Sequence, residues 1–273
     1  MMMMLIMLMM MNLSICCQMK KTAMTNWIFS GRPSNGVHQL IKTNQFKRMK
    51  LGKQWKPGDV TINWGSSQFP PAGGDLVLNS PTAVAFAIDK KLTFAILSGK
   101  DVPTIPWTAN KAIAQEWLSE GSVIVVRKVL TGSSGEGIII IEKEDKLIEA
   151  PLYTKYIYKQ QEFRVHCTKT KVFDTTRKIR DPKRTPTSWK IRSWKNGFIF
   201  SRKVEMDEQR DQVALAAITA LGLDFGAVDL VQDKHGKYYI LEVNTAPGIE
   251  GQTIQRYATA LGELAADAAK LLV

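Results

Sequence analysis

Cysteine and histidine are scarce in this chain, three of each in 273 residues. Cys16, Cys17 and Cys167 are too few and too unevenly spaced for a disulfide framework, which points to a reducing, cytoplasmic compartment. With so few histidines there is no metal-ligand cluster, and no Ser-His-Asp or Cys-His constellation supplies a side-chain nucleophile. His166 and His235 read as strand and turn residues without a catalytic role. Acid is also in deficit: 25 Asp and Glu against 37 Lys and Arg give a net charge of +12, which favours an anionic partner. Zinc-finger spacing and RNP-like aromatic motifs are missing, so nucleic acid is the disfavoured partner. The long apolar run is confined to residues 1–17, and its lysines, Lys20 and Lys21, follow it rather than precede it. That makes a poor signal peptide and a short span, so no stable membrane insertion is expected. Residues 1–23 are expected to be an extension outside the fold, with translation starting at Met19 or Met24.

What is present reads as an α/β (α+β) chain with 45% hydrophobic residues, enough for a full core. Residues 24–80 read as a small α/β lobe of short strands and turns, running from "NWIFSG" through a polar stretch to "DVTINWGSS" and "FPPAGGD". Residues 81–273 form the larger domain. There Val84, Ile88, Leu92 and Ile96 predict one helix from Thr82 to Leu97, and a second spans Asn110 to Glu120. Strands are predicted at 151–158, 162–168 and 171–176, and a helix from Asp207 to Leu221 ahead of Gly222. The last helix carries Ile254, Tyr257, Leu261, Leu264, Ala268 and Leu271 on one face. Trp64, Trp107, Trp189 and Trp194 are expected in core or turn packing.

"GAVDLVQDKHGKYYILEVN" has the form of two strands joined by a two-residue turn at His235-Gly236. That register sets Asp229 across from Glu242, Cβ atoms about 5 Å apart, with Ala227, Val231, Ile240 and Asn244 on the same face. None of these is a cation, so the two carboxylates repel. A divalent metal on Asp229, Glu242 and Asn244 would resolve the conflict. Two carboxylates and an amide oxygen are hard ligands of the kind Mg²⁺ takes when substrate phosphates complete its octahedron. The plainer alternative is a solvated face or contact with distant lysines.

A second feature is "LTGSSGEG", where Gly132, Ser133, Ser134, Gly135 and Gly137 lie between two β-branched runs. Backbone N–H groups can turn inward there to form an anion nest, and Arg127 or Lys128 just before it could neutralise phosphate charge. The loop is neither a Walker loop nor a Rossmann fingerprint, and an ordinary hairpin is the alternative.

From residue 80 onward these parts, in this order, resemble the ATP-grasp enzymes. "DKKLTFAILSGKDVPTIP" is similar to the family's opening segment, with Lys90 as its base. "VVRKVLTGSSGEG" resembles the basic residue and flexible phosphate lid, residues 130–137, with Arg127 the better match and Lys128 the fallback. "LYTKYIYKQQEFRVH" is similar to the hinge that holds adenine by backbone groups, here Lys155, Tyr156 and Ile157, followed by Glu162 as a ribose contact. "VDL…LEVNTAPGIEG" resembles the metal segment of D-alanine:D-alanine ligase and of the ribosomal-protein glutamate ligase. "INWGSS", "LYTKYI" and "EFRVH" are similar to bacteriophage ATP-grasp proteins, which would place the protein in the cytoplasm of a bacterial host.

The resemblance implies the ATP-grasp fold, two lobes gripping ATP, with Mg²⁺, or Mn²⁺ in its place, on Asp229, Glu242 and Asn244. It also implies a carboxylate acceptor, amino acid, peptide or protein, phosphorylated before an amine donor attacks. The chain would then be an ATP- and Mg-dependent carboxylate-amine ligase working through an acyl phosphate. One position departs from the pattern: D-alanine ligase carries an arginine two residues before the first metal aspartate, to stabilise the oxyanion, and this chain has Ala227. Arg164, Lys178 and Arg192 are the candidates to supply that charge, and each has the alternative of a solvated strand face. Two rival readings stand beside the ligase. One is a nucleotide-binding virion or regulatory module without ligase activity. The other is a basic nucleic-acid-binding protein, whose DNA affinity would be steep in salt and unaltered by ATP.

Overall fold

β1 (Asn26–Phe29), α1 (Asn35–Lys42), β2 (Lys47–Arg48), β3 (Val60–Asn63) and β4 (Leu76–Leu78) come first among the described residues, and their strands form a parallel sheet in the order β2-β1-β3-β4. The computed structural model describes residues 25–50, 56, 58–68, 76–132 and 135–270. The Met-rich opening, "FPPAGGD", Ser133, Ser134 and Leu271 lie outside the described residues. The polar stretch of this lobe is a helix, α1, because Val37 and Leu40 fall one turn apart on its buried side and the Ser34 hydroxyl accepts from the Val37 N–H. Parallel strands need such crossovers, and all of β3 is buried.

The helix expected from Thr82 to Leu97 is two helices, α2 (Pro81–Ile88) and α3 (Lys90–Ser98). Asp89 between them is extended, at φ −88° and ψ 108°, and its carboxylate accepts from the Lys91 and Leu92 N–H groups. A capping aspartate competes with helix continuation, and here it wins. Leu92 consequently faces outward while Phe94 and Leu97 are buried. The break places Lys90 in the first turn of α3, with its N–H on the Leu130 carbonyl. β5 (Trp107–Thr108), α4 (Lys111–Ser119), β6 (Ile124–Arg127), β7 (Ile138–Ile141) and β8 (Leu152–Lys155) form a lobe around an antiparallel sheet ordered β5-β8-β6-β7.

The remaining elements are β9 (Gln161–Thr168), β10 (Val172–Arg180), β11 (Phe198–Ser201), α5 (Glu208–Ala220), β12 (Phe225–Gln232), β13 (Tyr238–Asn244) and α6 (Gln252–Lys270). The strands make an antiparallel sheet ordered β11-β10-β9-β12-β13. Its back face buries Phe163, Val165, Val228, Leu230, Ile240 and Val243 against α2, α3 and α5. Its front face is left to a cavity of about 920 Å³ shared with the β5–β8 lobe. α6 leaves this sheet to pack Tyr257, Leu261 and Ala265 into the core of the N-terminal parallel sheet. Trp64 is buried beside Phe225 and Tyr257, and Trp107 stacks on Phe94. Trp189 and Trp194 do not join the core. They stand 58% and 72% exposed on the long β10–β11 loop, where Trp189 meets Phe198 edge-on and Arg184 covers Trp194.

Candidate active site

Asp229 does pair with Glu242, by a route other than a two-residue turn. The turn has three residues, Lys234 to Gly236, closed by Asp233 N–H to Lys237 O, with Gly236 at φ +83°. Gln232 therefore pairs with Tyr238 and Leu230 with Ile240, a register that would bring Leu241 opposite Asp229. A β-bulge at that point absorbs Leu241 and restores Glu242 to the opposing position. The bulge also turns Ile240 into the helix-covered core, so Ile240 does not share the carboxylate face; Leu241 does.

The carboxylate face of β12 and β13 holds no cation, but the other neighbour of β12 supplies one. Thr176, Arg164, Asp229 and Glu242 form one row across β10, β9, β12 and β13. Arg164 grips Asp229 twice, Nε to Oδ1 at 2.7 Å and Nη2 to Oδ2 at 2.8 Å. Burial pushes the Asp229 carboxyl up, yet Arg164 outweighs it and holds the group below the usual carboxylate range. The expected unrelieved repulsion is thus corrected for Asp229. Glu242 keeps it: its Oε2 has Lys90 Nζ at 3.9 Å, its Oε1 accepts from Asn244 Nδ2 at 3.3 Å, and burial together with Asp229 pushes its carboxyl up.

Glu162, opposite Val231, has the contrary surroundings. Lys178 Nζ lies 2.5 Å from Oε1 and Lys159 Nζ lies 2.9 Å from Oε2. Burial pushes this carboxyl up as well, and the two lysines bring it below its ordinary value. Arg192, on the β10–β11 loop, donates to the Lys159 carbonyl at 3.3 Å and lies over Phe198.

On the opposing wall, Arg127 at the end of β6 is buried while Lys128 is exposed. Its Nε has no hydrogen-bond partner among the described residues, and burial lowers the guanidinium's pKa from its ordinary value. Lys90 Nζ donates to Gly132 O at 2.7 Å, tying α3 to the glycine loop. That loop closes the β6–β7 hairpin through Lys128 N–H to Gly137 O, with Gly135 and Gly137 at φ +84° and +69°. At the hinge, Lys155 and Tyr156 donate their N–H groups to Pro106 and Val123 carbonyls, whereas the Ile157 N–H has no acceptor among the described residues.

Among the described residues no three Asp, Glu, His or Cys side chains converge as a metal cluster. The donor set is two opposed carboxylates and the Asn244 amide, and Glu242 is short of positive charge. These residues fit a hard divalent ion that takes its remaining ligands from phosphates or water.

The profile of the RimK-like ATP-grasp domain matches residues 101–264. The chain belongs to this family. A probable alpha-L-glutamate ligase of Haemophilus influenzae (strain PittEE) is 29% identical over 191 residues, 65% of this chain and 62% of that protein. The chain thus spans under two thirds of that relative's length. A D-alanine–D-alanine ligase from Bacillus anthracis superposes with a TM-score of 0.67 at 16% identity, covering 92% of this chain and 98% of that one. The ATP-grasp ligase PsnB, in complex with a minimal precursor, Mg and ADP, gives a TM-score of 0.63 at 15% identity, covering 89% and 97%. Both structures share the ATP-grasp fold seen here. No helix of the described residues is long and apolar enough to cross a membrane.

Within this ATP-grasp cavity the structure adds residues that sequence reasoning missed. Lys159 sits three residues before Glu162, a spacing that could have flagged it. His166 faces the cavity, its Nδ1 3.0 Å from Tyr257 Oη, and burial with Arg164 nearby lowers its pKa to about 4. Arg202 also lines the cavity, one residue past β11, a strand that carried no sequence signal.

Proposed function

We propose that the chain is an ATP- and Mg²⁺-dependent carboxylate-amine ligase of the alpha-L-glutamate ligase type, acting through an acyl phosphate. The observation that carries this is one cavity in which Arg127, its Nε without a hydrogen-bond partner among the described residues, faces the Asp229–Glu242 opposition. Bound there, ATP would supply the phosphoryl group and the metal would offset phosphate charge. Arg127 and Lys90 would hold phosphate oxygens, and the Ile157 N–H would receive the adenine edge. Asp229, Glu242 and Asn244 would hold Mg²⁺ or Mn²⁺. Arg164 fixes Asp229, while Lys178 and Lys159 fix Glu162 beside the hinge, where it could meet the ribose. Residues 130–137 would cover the phosphates and keep water from the activated acyl group.

The test is isotopic. Purified chain, Mg-ATP and a pool of ¹⁸O-carboxylate amino acids and acidic peptides should release phosphate containing ¹⁸O, in proportion to product. Phosphate release without ¹⁸O from every member of the pool would overturn the ligase reading. Ala227 favours a second reading, nucleotide binding without ligation, in which Mg-ADP binds and no acceptor ever turns over. The Haemophilus relative is bacterial, and a phage origin finds no support in it.

A further inference from the structure

Next to the metal row the register lays out a second one: Asp174, His166, Ala227 and Asn244, across β10, β9, β12 and β13. Acyl transfer needs a donor or cation aimed where the carbonyl oxygen gains charge. At Ala227 the row offers only a methyl group, and His166 is neutral at physiological pH. The cations proposed from sequence are engaged elsewhere: Arg164 with Asp229, Lys178 with Glu162, Arg192 with the Lys159 carbonyl at the hinge side. Arg202 is not. Its Nη2 donates to Asp174 Oδ2 at 3.2 Å and to the Thr253 hydroxyl. Its Nε and Nη1 make no hydrogen bond among the described residues, and its side chain is 32% exposed in the cavity wall.

Asp174 is built to hold that posture. Its side chain is fully buried, its Oδ1 takes Arg256 Nη1 at 2.6 Å and its Oδ2 also takes the Thr253 hydroxyl at 2.7 Å. The strand, the start of α6 and the residue after β11 are thereby locked around one carboxylate, leaving Arg202 two unused N–H edges. An arginine whose planar fork is fixed at one edge loses little freedom when the other edge takes an oxyanion.

We propose that Arg202 is the catalytic cation of the second half-reaction, contacting the carbonyl oxygen of the activated acceptor, and that Asp174 is its positioning residue. This rests on the ligase reading. As the amine attacks, the C–N bond forms and the carbonyl π pair moves onto oxygen beside Arg202. The pair then returns, the C–O bond to phosphate breaks, and inorganic phosphate leaves with the proton lost by the amine.

Arg202→Gln should lower kcat about 100-fold, the range for deleting one oxyanion donor, while KM for Mg-ATP changes less than twofold. Asp174→Asn should lower kcat less, again without moving KM for Mg-ATP. Millimolar guanidinium should restore part of the rate to Arg202→Ala, and urea should not. A folded Arg202→Gln enzyme within threefold of wild-type kcat overturns the proposal. If wild type turns over no acceptor, the ligase reading fails, and binding decides Arg202 separately. A phosphinate analogue of a glutamyl peptide, titrated into Mg-ADP-loaded chain, should bind wild type at least 30-fold more tightly than Arg202→Gln, with Mg-ADP affinity unchanged. Equal binding, or no binding to wild type, overturns the assignment.

Discussion

Glu162 and Glu242 lie on the same face of one sheet, the first buried and the second half-buried, and their surroundings are opposite. Glu162 has a lysine on each oxygen; Glu242 has one lysine at 3.9 Å and an aspartate across the ladder. Burial penalises both charges, and only the first is compensated from within the chain. A saturated carboxylate is part of the frame, whereas an unsaturated one is a place for an external cation. Asp229 belongs to both classes, since Arg164 takes both its oxygens and Glu242 still faces it.

The largest effect should come from breaking Arg164. Arg164→Met leaves Asp229 buried beside Glu242 with no close cation, and loss of one partner of a buried pair costs about 3–5 kcal/mol. Urea unfolding should show that loss without nucleotide. Asp229→Asn should also destabilise, by about 2 kcal/mol, because it leaves the Arg164 guanidinium facing a neutral amide. Viewed as an isolated hairpin, Asp229→Asn would be neutral or stabilising. A neutral result would mean that the Arg164 pair contributes nothing and that the hairpin view was sufficient.

Smaller than the Arg164→Met loss is that of Glu162→Gln, which leaves Lys159 and Lys178 converging on an amide, at a cost of about 3 kcal/mol. The comparison sharpens here, since this variant should melt lower and still gain stability from Mg²⁺ with ADP. Loss of the Mg²⁺ response with unchanged apo stability would exchange the roles of the two glutamates.

The fold was legible wherever one segment decides. Asp207 and Gly222 bound α5 as their side chain and backbone require, and Arg127 rather than Lys128 faces inward as alternation allows. Asp229 opposite Glu242 was legible too, although a three-residue turn and a bulge, each shifting the register, cancel. What stayed hidden depends on partners far away in the chain. Arg164 and Asp229 are 65 residues apart, and nothing local says that β9 lies beside β12 rather than at an edge. Arg202 was hidden twice, by the unseen strand β11 and by an anchor, Asp174, 28 residues earlier. Asp89 misled because apolar spacing continues through it, and a cap is stronger than spacing.

A pH titration extends the contrast to the row beside Glu242. The pKa of His166 falls from 6.5 to about 4 on folding, so between those values the unfolded chain binds more protons. Stability should therefore fall as pH drops from 6.5 toward 4, by up to about 3 kcal/mol from this group. His166→Gln should flatten that part of the unfolding profile, and an unchanged slope would show that the imidazole is not held neutral by its site.

The smallest effect on the apo protein, and the most diagnostic, belongs to Glu242→Gln. A carboxyl raised above its ordinary value near 4.5 binds a proton in the folded chain that the unfolded chain has released. Stability then falls as pH rises through that interval, and at neutral pH the Glu242 charge works against the fold. Replacing it with an amide should leave apo stability within about 1 kcal/mol of wild type, or raise it, since Asp229 loses a like charge and the new amide oxygen can still accept from Asn244 Nδ2. Mg-ADP at 100 times Kd would stabilise wild type by about 2.7 kcal/mol, and Glu242→Gln should lose most of that shift. ADP without metal should bind both proteins alike, because Arg127 and the hinge are untouched. A Glu242→Gln protein that melts several degrees low without nucleotide, yet keeps its full Mg-ADP shift, would make Glu242 a frame residue like Glu162 and move the metal elsewhere.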